Sequence, residues 1–277
     1  WVLVRNIGVY LDQSLHMMLV GRRDSTTVTG GYSLANEISS MPTTELLAPI
    51  NRVLFPAFVR VKQDLTELKR LFLLAQGVQA LIVIPAGTGL ALVAREAVAI
   101  LLGEQWGFIV PFVEIIALVT VVTALLSSGI YVCLTLGRVK LVAAYTWWQV
   151  GVFAVLAVML LPQAGALEIA WLRLVVAALG GGAVAGLLTR TLSGLKVGEL
   201  VGVVYRPLLA ALFMALCVTQ LGELIPGPEW LILMARIGLG MVSYTLAIIL
   251  LWWLAGRPAG AEAYVLRQVL RLRRRHD

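Results

Sequence analysis

The segment from Gly31 to Phe58 combines the length of a membrane-crossing helix with polar and ionisable side chains. On a helix, five of its polar residues fall within an arc of about 60°. This polar stripe consists of Ser33, Glu37, Ser40, Thr44 and Asn51, with Glu45 and Arg52 to one side of it. Because ionisable groups are costly when they face lipid, the stripe must face other helices or a water-filled path. The pattern predicts the wall of a path for a polar substrate, and a helix that only joins a bundle is the alternative.

Three prolines, Pro42, Pro49 and Pro56, lie inside the same segment. Each one removes a backbone hydrogen bond and frees a carbonyl group. Within a membrane, a freed carbonyl is tolerated only beside a cavity or a polar neighbour. The prolines therefore favour the interpretation of this segment as a pathway wall.

Intramembrane charge is concentrated near the start of the chain. Arg5, Asp12 and His16 recur at i, i+7 and i+11, which places them on one face of a helix. Arginines can hold phosphate or acidic sugar through paired hydrogen bonds, and carboxylates can bind a coupling proton or cation. Mutual neutralisation between helices is the third possibility. Arg173 and Glu114 lie near the outer ends of later segments and are interpreted as a candidate structural pair, not as site residues.

Composition excludes a soluble domain, because mean hydropathy is +0.92, 60% of residues are hydrophobic and only 13% are charged. A crossing helix needs about 20 mostly apolar residues. Eight segments qualify as candidate spans and leave no room for a soluble catalytic domain, so we predict an all-α integral membrane protein. They are residues 1–20, 30–58, 70–94, 107–136, 140–162, 166–189, 206–224 and 230–255.

Cysteine and histidine usage predicts neither a disulfide framework nor a metal site, and no cofactor is expected. Cys133 and Cys217 lie in separate candidate spans, and His16 and His276 are far apart in sequence. The net charge of +7 would suggest nucleic acid for a soluble protein. Here the basic residues indicate topology instead, and no nucleic-acid partner is predicted.

Alternate connections between the candidate spans are basic. One set of connections and the C-terminal tail carries fifteen lysines and arginines, whereas the intervening set carries only Arg22, Arg23 and Arg95. The positive-inside rule then places the basic set and the C-terminus in the cytoplasm. An even number of spans puts Trp1 on the same side. We therefore predict a multi-pass membrane protein with both ends cytoplasmic.

Two shorter segments are predicted to lie at the membrane surface. The tail, residues 257–277, places Val265, Leu266, Val269, Leu270 and Leu272 among arginines, a pattern typical of a basic amphipathic helix that binds anionic lipids. A merely solvated tail is the alternative. Residues 95–106 are too few to span the membrane and are predicted to form a lip on the outer face, with Trp106 at headgroup level.

Several landmarks occur in an order that resembles bacterial polysaccharide exporters. They are GYSLANEISSMPTTELLAPINRVLFPAF, a basic linker, IPAGTGLALVA, LLGEQW and the LGR of Leu136 to Arg138. The family comprises the oligosaccharide flippases of the multidrug/oligosaccharidyl-lipid/polysaccharide (MOP) superfamily. The resemblance covers essentially the whole chain and is strongest over residues 10–140. The loop GRRDSTTVTGG departs from the Gly-rich, less charged turn that is more usual in the family.

This resemblance implies a fold of two six-helix bundles that face each other across a cavity, often with two further C-terminal helices. The chain resembles the second bundle (residues 1–189) followed by a linker and the two additional helices (residues 190–256). Because the sequence starts at Trp1 inside an apolar stretch, we expect a preceding N-terminal six-helix half. Flippases of this family move polyprenyl-pyrophosphate-linked oligosaccharide between leaflets by alternating access, which is the function that the resemblance implies here.

Two other functions remain as alternatives. A cation-coupled multidrug exporter of the same superfamily would need a cavity that is net acidic and aromatic, and the mixed charges of the first two spans do not decide between them. A membrane polysaccharide polymerase or ligase would need catalytic groups at an outer active site. The outer connections are short and show no convincing acid/base pair, so we predict a transporter and not an enzyme.

The candidate site residues fall into two groups. We assign Arg5, Asn36, Asn51 and Arg52 to binding of the lipid-linked oligosaccharide. We assign Asp12, Glu37 and Glu45 to binding of a coupling ion or to the cavity wall. Arg5 and Arg52 lie near the predicted cytoplasmic ends of the first two spans, so both could face one inner vestibule.

Overall fold

The computed structural model describes residues 1–159, 163–192, 194–222, 227–258 and 260–273, with side chains up to residue 268. These residues form ten α-helices and one short 3-10 helix, Glu104–Ile109. The α-helices are α1 (Val2–Arg23), α2 (Thr26–Val61), α3 (Leu65–Leu92), α4 (Ala94–Leu102), α5 (Val110–Thr135), α6 (Val139–Met159), α7 (Ala166–Thr191), α8 (Val197–Gly222), α9 (Glu229–Leu254) and α10 (Ala261–Arg273). The predicted all-α class is confirmed.

Eight of the described α-helices are long, and each overlaps one of the eight predicted spans, although α8 begins well before the predicted start at residue 206. Six segments are long and apolar enough to cross a membrane by length and composition: α3, α5 with the 3-10 turn before it, α6, α7, α8 and α9. The first two helices do not reach that apolarity, because ionisable and amide side chains interrupt their apolar runs. The count of eight spans therefore stays a prediction.

The connection between α1 and α2 is shorter than the predicted loop GRRDSTTVTGG. Only Asp24 and Ser25 separate the two helices, and the Ser25 hydroxyl caps α2 by accepting a hydrogen bond from the Val28 backbone N–H. With 36 residues, α2 is about 54 Å long at 1.5 Å per residue. It therefore exceeds the roughly 30 Å hydrocarbon core of a bilayer and can carry polar residues at both ends.

Three apolar clusters hold the helices together. We call the two ends of the bundle the Arg23 end and the Trp1 end, after the two ends of α1. One cluster lies toward the Arg23 end and includes Tyr32, Phe112, Ile116 and Ile169, and a second lies toward the Trp1 end and includes Phe58, Phe72, Val132 and Leu188. A third joins α8 and α9 to α2 and α3 and includes Leu47, Ile84, Met214 and Tyr244. Because lipid is as apolar as these side chains, close packing supplies the stabilisation.

The segment predicted to form a lip consists of α4 and the 3-10 turn, and its place at the outer membrane face stays a prediction. Gly103 joins them with a φ of +96°, a backbone conformation that favours glycine. Trp106 stacks on Phe108 with ring centroids 5.8 Å apart. A Cβ atom at Gly31 would lie 2.6 Å from the Phe108 ring, so α2 packs directly against the lip.

A buried ion pair ties the lip to α9. Arg236 Nη1 lies 2.6 Å from Glu96 Oε1, and the two side chains are 20% and 11% exposed. Two further polar atoms of the pair, Glu96 Oε2 and Arg236 Nε, have no hydrogen-bond partner among the described residues. The contact between Arg236 Nη1 and Glu96 Oε1 therefore holds this ion pair together.

We expect Arg236→Met to destabilise the full-length protein, because it leaves the Glu96 carboxylate buried and unpaired. Breaking a buried pair from one side costs roughly 3–5 kcal/mol. The double variant Glu96→Gln/Arg236→Met removes both charges and should recover most of the loss. Thermal unfolding in detergent measures both effects, and equal destabilisation by the single and double variants would contradict this account.

Candidate functional site: an exposed polar face and a buried arginine cluster

The polar stripe of α2 faces away from the rest of the described chain. Glu37 and Glu45 are exposed, as are Ser33 and Thr44, while Ser40 and Asn51 are half-buried. The buried side of α2 carries Tyr32, Ala35, Ser39, Thr43, Leu47, Leu54 and Phe58. Among the described residues, neither glutamate forms an ion pair. The helix thus presents uncompensated charge on the face that its own bundle does not cover.

Hydroxyl groups satisfy backbone oxygens around Pro42. Ser40 Oγ donates to the Glu37 carbonyl at 2.9 Å, and Thr44 Oγ1 donates to the Ser40 carbonyl at 2.8 Å. From α5, Thr120 Oγ1 contacts the Ser39 carbonyl at 3.3 Å. These contacts give the backbone on either side of Pro42 additional polar neighbours.

Arg173 of α7 reaches α2 through the bundle interior. Its Nη1 donates to Asn36 Oδ1 at 3.0 Å and lies 3.4 Å from the Tyr32 hydroxyl. Neither partner is charged. Asn36, predicted to bind substrate, is half-buried and holds this arginine in place.

A small cavity of about 40 Å³ lies beside Arg173. Its lining includes Asp12 and His16 of α1, Thr123 of α5 and Gln149 of α6. His16 is only 2% exposed, and its Nδ1 has no hydrogen-bond partner among the described residues. The cavity is polar and large enough for ordered water. The structure thus brings Asp12 together with Arg173, although no direct ion pair joins them.

The two predicted anion-binding arginines occupy different surroundings. Arg52 is exposed on α2 and makes no hydrogen bond or ion pair with the described residues. Arg5 is half-buried, and its Nη1 lies 3.3 Å from the Asn6 amide oxygen. Both lie toward the Trp1 end of their helices, but the structure does not bring them into contact.

Asn51 contacts a polar pair on α3 that the sequence had not singled out. Gln79 Nε2 lies 3.3 Å from Asn51 Oδ1. One turn earlier, Gln76 Nε2 donates to the Leu125 carbonyl at 2.9 Å and its Oε1 accepts from the Ser128 hydroxyl. Both glutamines lie in an apolar span. Isolated amide side chains there form no repeating polar pattern, so the sequence does not show which face of α3 is polar.

The candidate pair of Arg173 and Glu114 was wrong. Arg173 bonds to Asn36 and Tyr32 instead, and Glu114 is exposed on α5. The apolar α7 sequence around Arg173 does not reveal that its side chain points toward α2. Arg173 is therefore the main residue that sequence reasoning left out of the site.

Part of the chain matches a known protein family. Residues 1–111 match the family model described as polysaccharide biosynthesis protein. That stretch contains the polar stripe, the prolines and the lip. The predicted resemblance is confirmed.

Two curated relatives and one solved structure extend the comparison. Over 119 residues, or 43% of the chain, it is 33% identical to the lipopolysaccharide biosynthesis protein WzxC of Escherichia coli K12. Over 102 residues, or 37% of the chain, it is 29% identical to the succinoglycan biosynthesis transport protein ExoT of Rhizobium meliloti. The fold is similar to that of the lipid II flippase MurJ in an inward closed conformation, with a TM-score of 0.69 and 12% identity over 90% of the chain.

The chain corresponds to only part of each of these proteins. The matched stretches cover 24% of WzxC and 21% of ExoT, and the structural match covers 51% of MurJ. The described helices are thus comparable in fold to about half of the MurJ chain.

Proposed function

We propose that this chain is one half of a flippase that moves polyprenyl-pyrophosphate-linked oligosaccharide across the bacterial inner membrane by alternating access. The observation that carries the proposal is the uncovered polar face of α2, which lies within the stretch that matches the polysaccharide biosynthesis family. A second half opposite that face would enclose a hydrated path, as intramembrane charge requires. The transport role printed for ExoT and the flippase fold of MurJ support a transporter over an enzyme.

In this proposal, residues 1–189 form the second six-helix bundle of the transporter. Residues 190–256 supply a linker and two additional helices, and residues 257–277 form the basic tail at the membrane surface. The N-terminal six-helix half is the partner of the α2 face. The packing of α8 and α9 on α3, outside the polar face, supports this division.

We assign the charges of the path as follows. Arg5 and Arg52 hold the anionic pyrophosphate as it enters from the inner leaflet, since guanidinium groups make paired, charge-assisted hydrogen bonds to phosphate oxygens. Asn36 and Asn51 line the path. Asn36 also accepts a hydrogen bond from Arg173, and Asn51 accepts one from Gln79. Asp12, Glu37 and Glu45 bind the coupling ion or keep the cavity hydrated.

The proposed topology places the Trp1 end of the bundle in the cytoplasm. Basic residues concentrate at that end, where Lys69 pairs with Glu199 at 2.8 Å and Lys140 lies 5.7 Å from the Trp1 ring centroid. The asymmetry of lysine and arginine between alternate connections supports this orientation.

Single cysteines introduced at Gly165 and Gly227 should react with a membrane-impermeant reagent added to spheroplasts. A cysteine at Gly194, on the opposite side, should react only after the membrane is opened. The native Cys133 and Cys217 are replaced first, since both are free thiols. Reaction of the Gly194 variant in sealed spheroplasts would contradict the topology.

The proposed function is tested by deleting the full-length gene in its native bacterium. Loss of flipping should abolish the surface polysaccharide and leave its lipid-linked repeat unit accumulating in the membrane. Expression of the full-length protein should reverse both effects. A deletion strain that lacks the lipid-linked unit itself would indicate a role in synthesis and would overturn the proposal.

A further inference from the structure

A second pocket lies away from the polar face, at the Trp1 end of the bundle. It has a volume of about 470 Å³ and opens between the start of α3, the start of α8 and α10. Three arginines and two glutamates line it, among apolar side chains. None of the residues assigned to the transport path contributes to it.

Two contacts fix α10 as one wall of this pocket. Arg206 Nη1 of α8 lies 2.8 Å from Glu262 Oε1 of α10, and each of these side chains is only 11% exposed. A Cβ atom at Gly77 of α3 would lie 2.6 Å from the Ala261 Cβ atom. Because glycine leaves no side chain there, the first turn of α10 rests directly on α3.

The two carboxylates of the pocket are already engaged. Glu262 is paired with Arg206, and Glu199 Oε2 accepts from Lys69 Nζ at 2.8 Å and from the Lys196 backbone N–H at 2.9 Å. Arg70 makes a two-point contact with Glu67 of its own helix. Because both carboxylates of the pocket, Glu199 and Glu262, already have cationic partners, they have little capacity to bind a further cation.

Two of the arginines keep donors that no carboxylate satisfies. Arg206 is 9% exposed, and its Nε has no hydrogen-bond partner among the described residues. Arg267 Nε donates to the Ala263 carbonyl of its own helix at 3.1 Å, and no ion pair involves Arg267 in the part of the chain that the structure describes. The pocket therefore offers unfilled positive donors, one of them on a buried side chain.

We propose that this pocket binds the phosphate headgroup of an anionic glycerophospholipid of the inner leaflet. Arginine forks match phosphate oxygens, and the apolar side chains of Leu73, Leu74 and Val203 provide a wall for acyl chains. A site that combines cationic donors with apolar surface at the cytoplasmic membrane face suits such a lipid. The bound lipid would join α3, α8 and α10 at one point. This inference uses the proposed topology but does not depend on the transported cargo.

The test measures thermal unfolding of the purified full-length protein in a neutral detergent. Short-chain phosphatidylglycerol should raise the unfolding midpoint, whereas phosphatidylcholine of the same chain length should not. The variant Arg267→Gln changes the exposed arginine that has no ion pair among the described residues, and should weaken the apparent affinity for phosphatidylglycerol by about tenfold. Arg60→Gln, an exposed arginine at the same end but outside the pocket, should leave the affinity unchanged.

Four results would overturn the proposal. Equal stabilisation by both lipids would show that the headgroup charge is not recognised. Unchanged affinity in Arg267→Gln, or an equal loss in Arg60→Gln, would place lipid binding elsewhere. Inorganic phosphate that reproduced the full stabilisation would assign the pocket to a soluble phosphate. The measurement involves no transport, so a failure of the proposed function would not affect it.

Discussion

Replacement of Arg52 by Ala in the full-length protein is expected to abolish surface polysaccharide while the protein still accumulates near its normal level. Arg52 is exposed on the polar face of α2 and has no partner among the described residues. Its removal therefore leaves no neighbouring polar group without a hydrogen-bond partner. Its loss would remove charge-assisted hydrogen bonds to the pyrophosphate worth about 1.5–3 kcal/mol. Surface polysaccharide and membrane protein level are measured side by side.

The conservative variant separates substrate binding from topology. Arg52→Lys should restore export only partly, because lysine lacks the paired donors of the guanidinium fork. Arg60→Ala, two turns further along α2, is the matched control and should export normally. Full export by Arg52→Ala, or full rescue by lysine, would show that Arg52 serves only as a topogenic charge.

Replacement of Arg173 by Met is expected to impair both accumulation and export. The guanidinium donates to Asn36 and lies beside Tyr32, so the variant leaves buried polar groups of α2 without their partner. Each unsatisfied group costs about 1–3 kcal/mol. Thermal unfolding and export should both fall, and Asn36→Ala should reproduce part of the loss.

Arg190→Met provides the matched control for Arg173, since Arg190 is exposed near the end of the same helix. We expect it to unfold and export like the natural protein. Stability of Arg173→Met equal to that of the natural protein would contradict the structural role of the cluster. Lost export with unchanged stability would instead give Arg173 a direct part in the transport path.

The helical architecture could be predicted because its signals are local. Apolar runs of sufficient length located every long helix, and the 3.6-residue period placed Glu37 and Thr44 of α2 on one exposed face. The loop between α1 and α2 was predicted too long, because Arg22 and Arg23 still belong to α1 and Gly30 and Gly31 already belong to α2. Ser25 caps α2 close to the end of α1.

The partners of buried polar residues could not be predicted, because they depend on how distant helices pack. Arg173 bonds to Asn36 across 137 positions of sequence, and Glu96 pairs with Arg236 across 140 positions. A single arginine in an apolar run does not indicate which helix its side chain will face. The docking of Glu262 on Arg206 likewise requires α10 to fold back onto α3 and α8. The apolar tail residues Val269, Leu270 and Leu272, together with residues 274–277, lie outside the side chains that the structure describes.

The most direct test is flipping by the purified full-length protein in sealed vesicles. A polyprenyl-pyrophosphate oligosaccharide is placed in the outer leaflet, and its protection from an added glycan-cleaving enzyme is followed over time. We predict that vesicles with the natural protein protect a growing fraction of this lipid, and that vesicles with Arg52→Ala behave like protein-free vesicles. Protection that is equal with and without the natural protein would contradict the account.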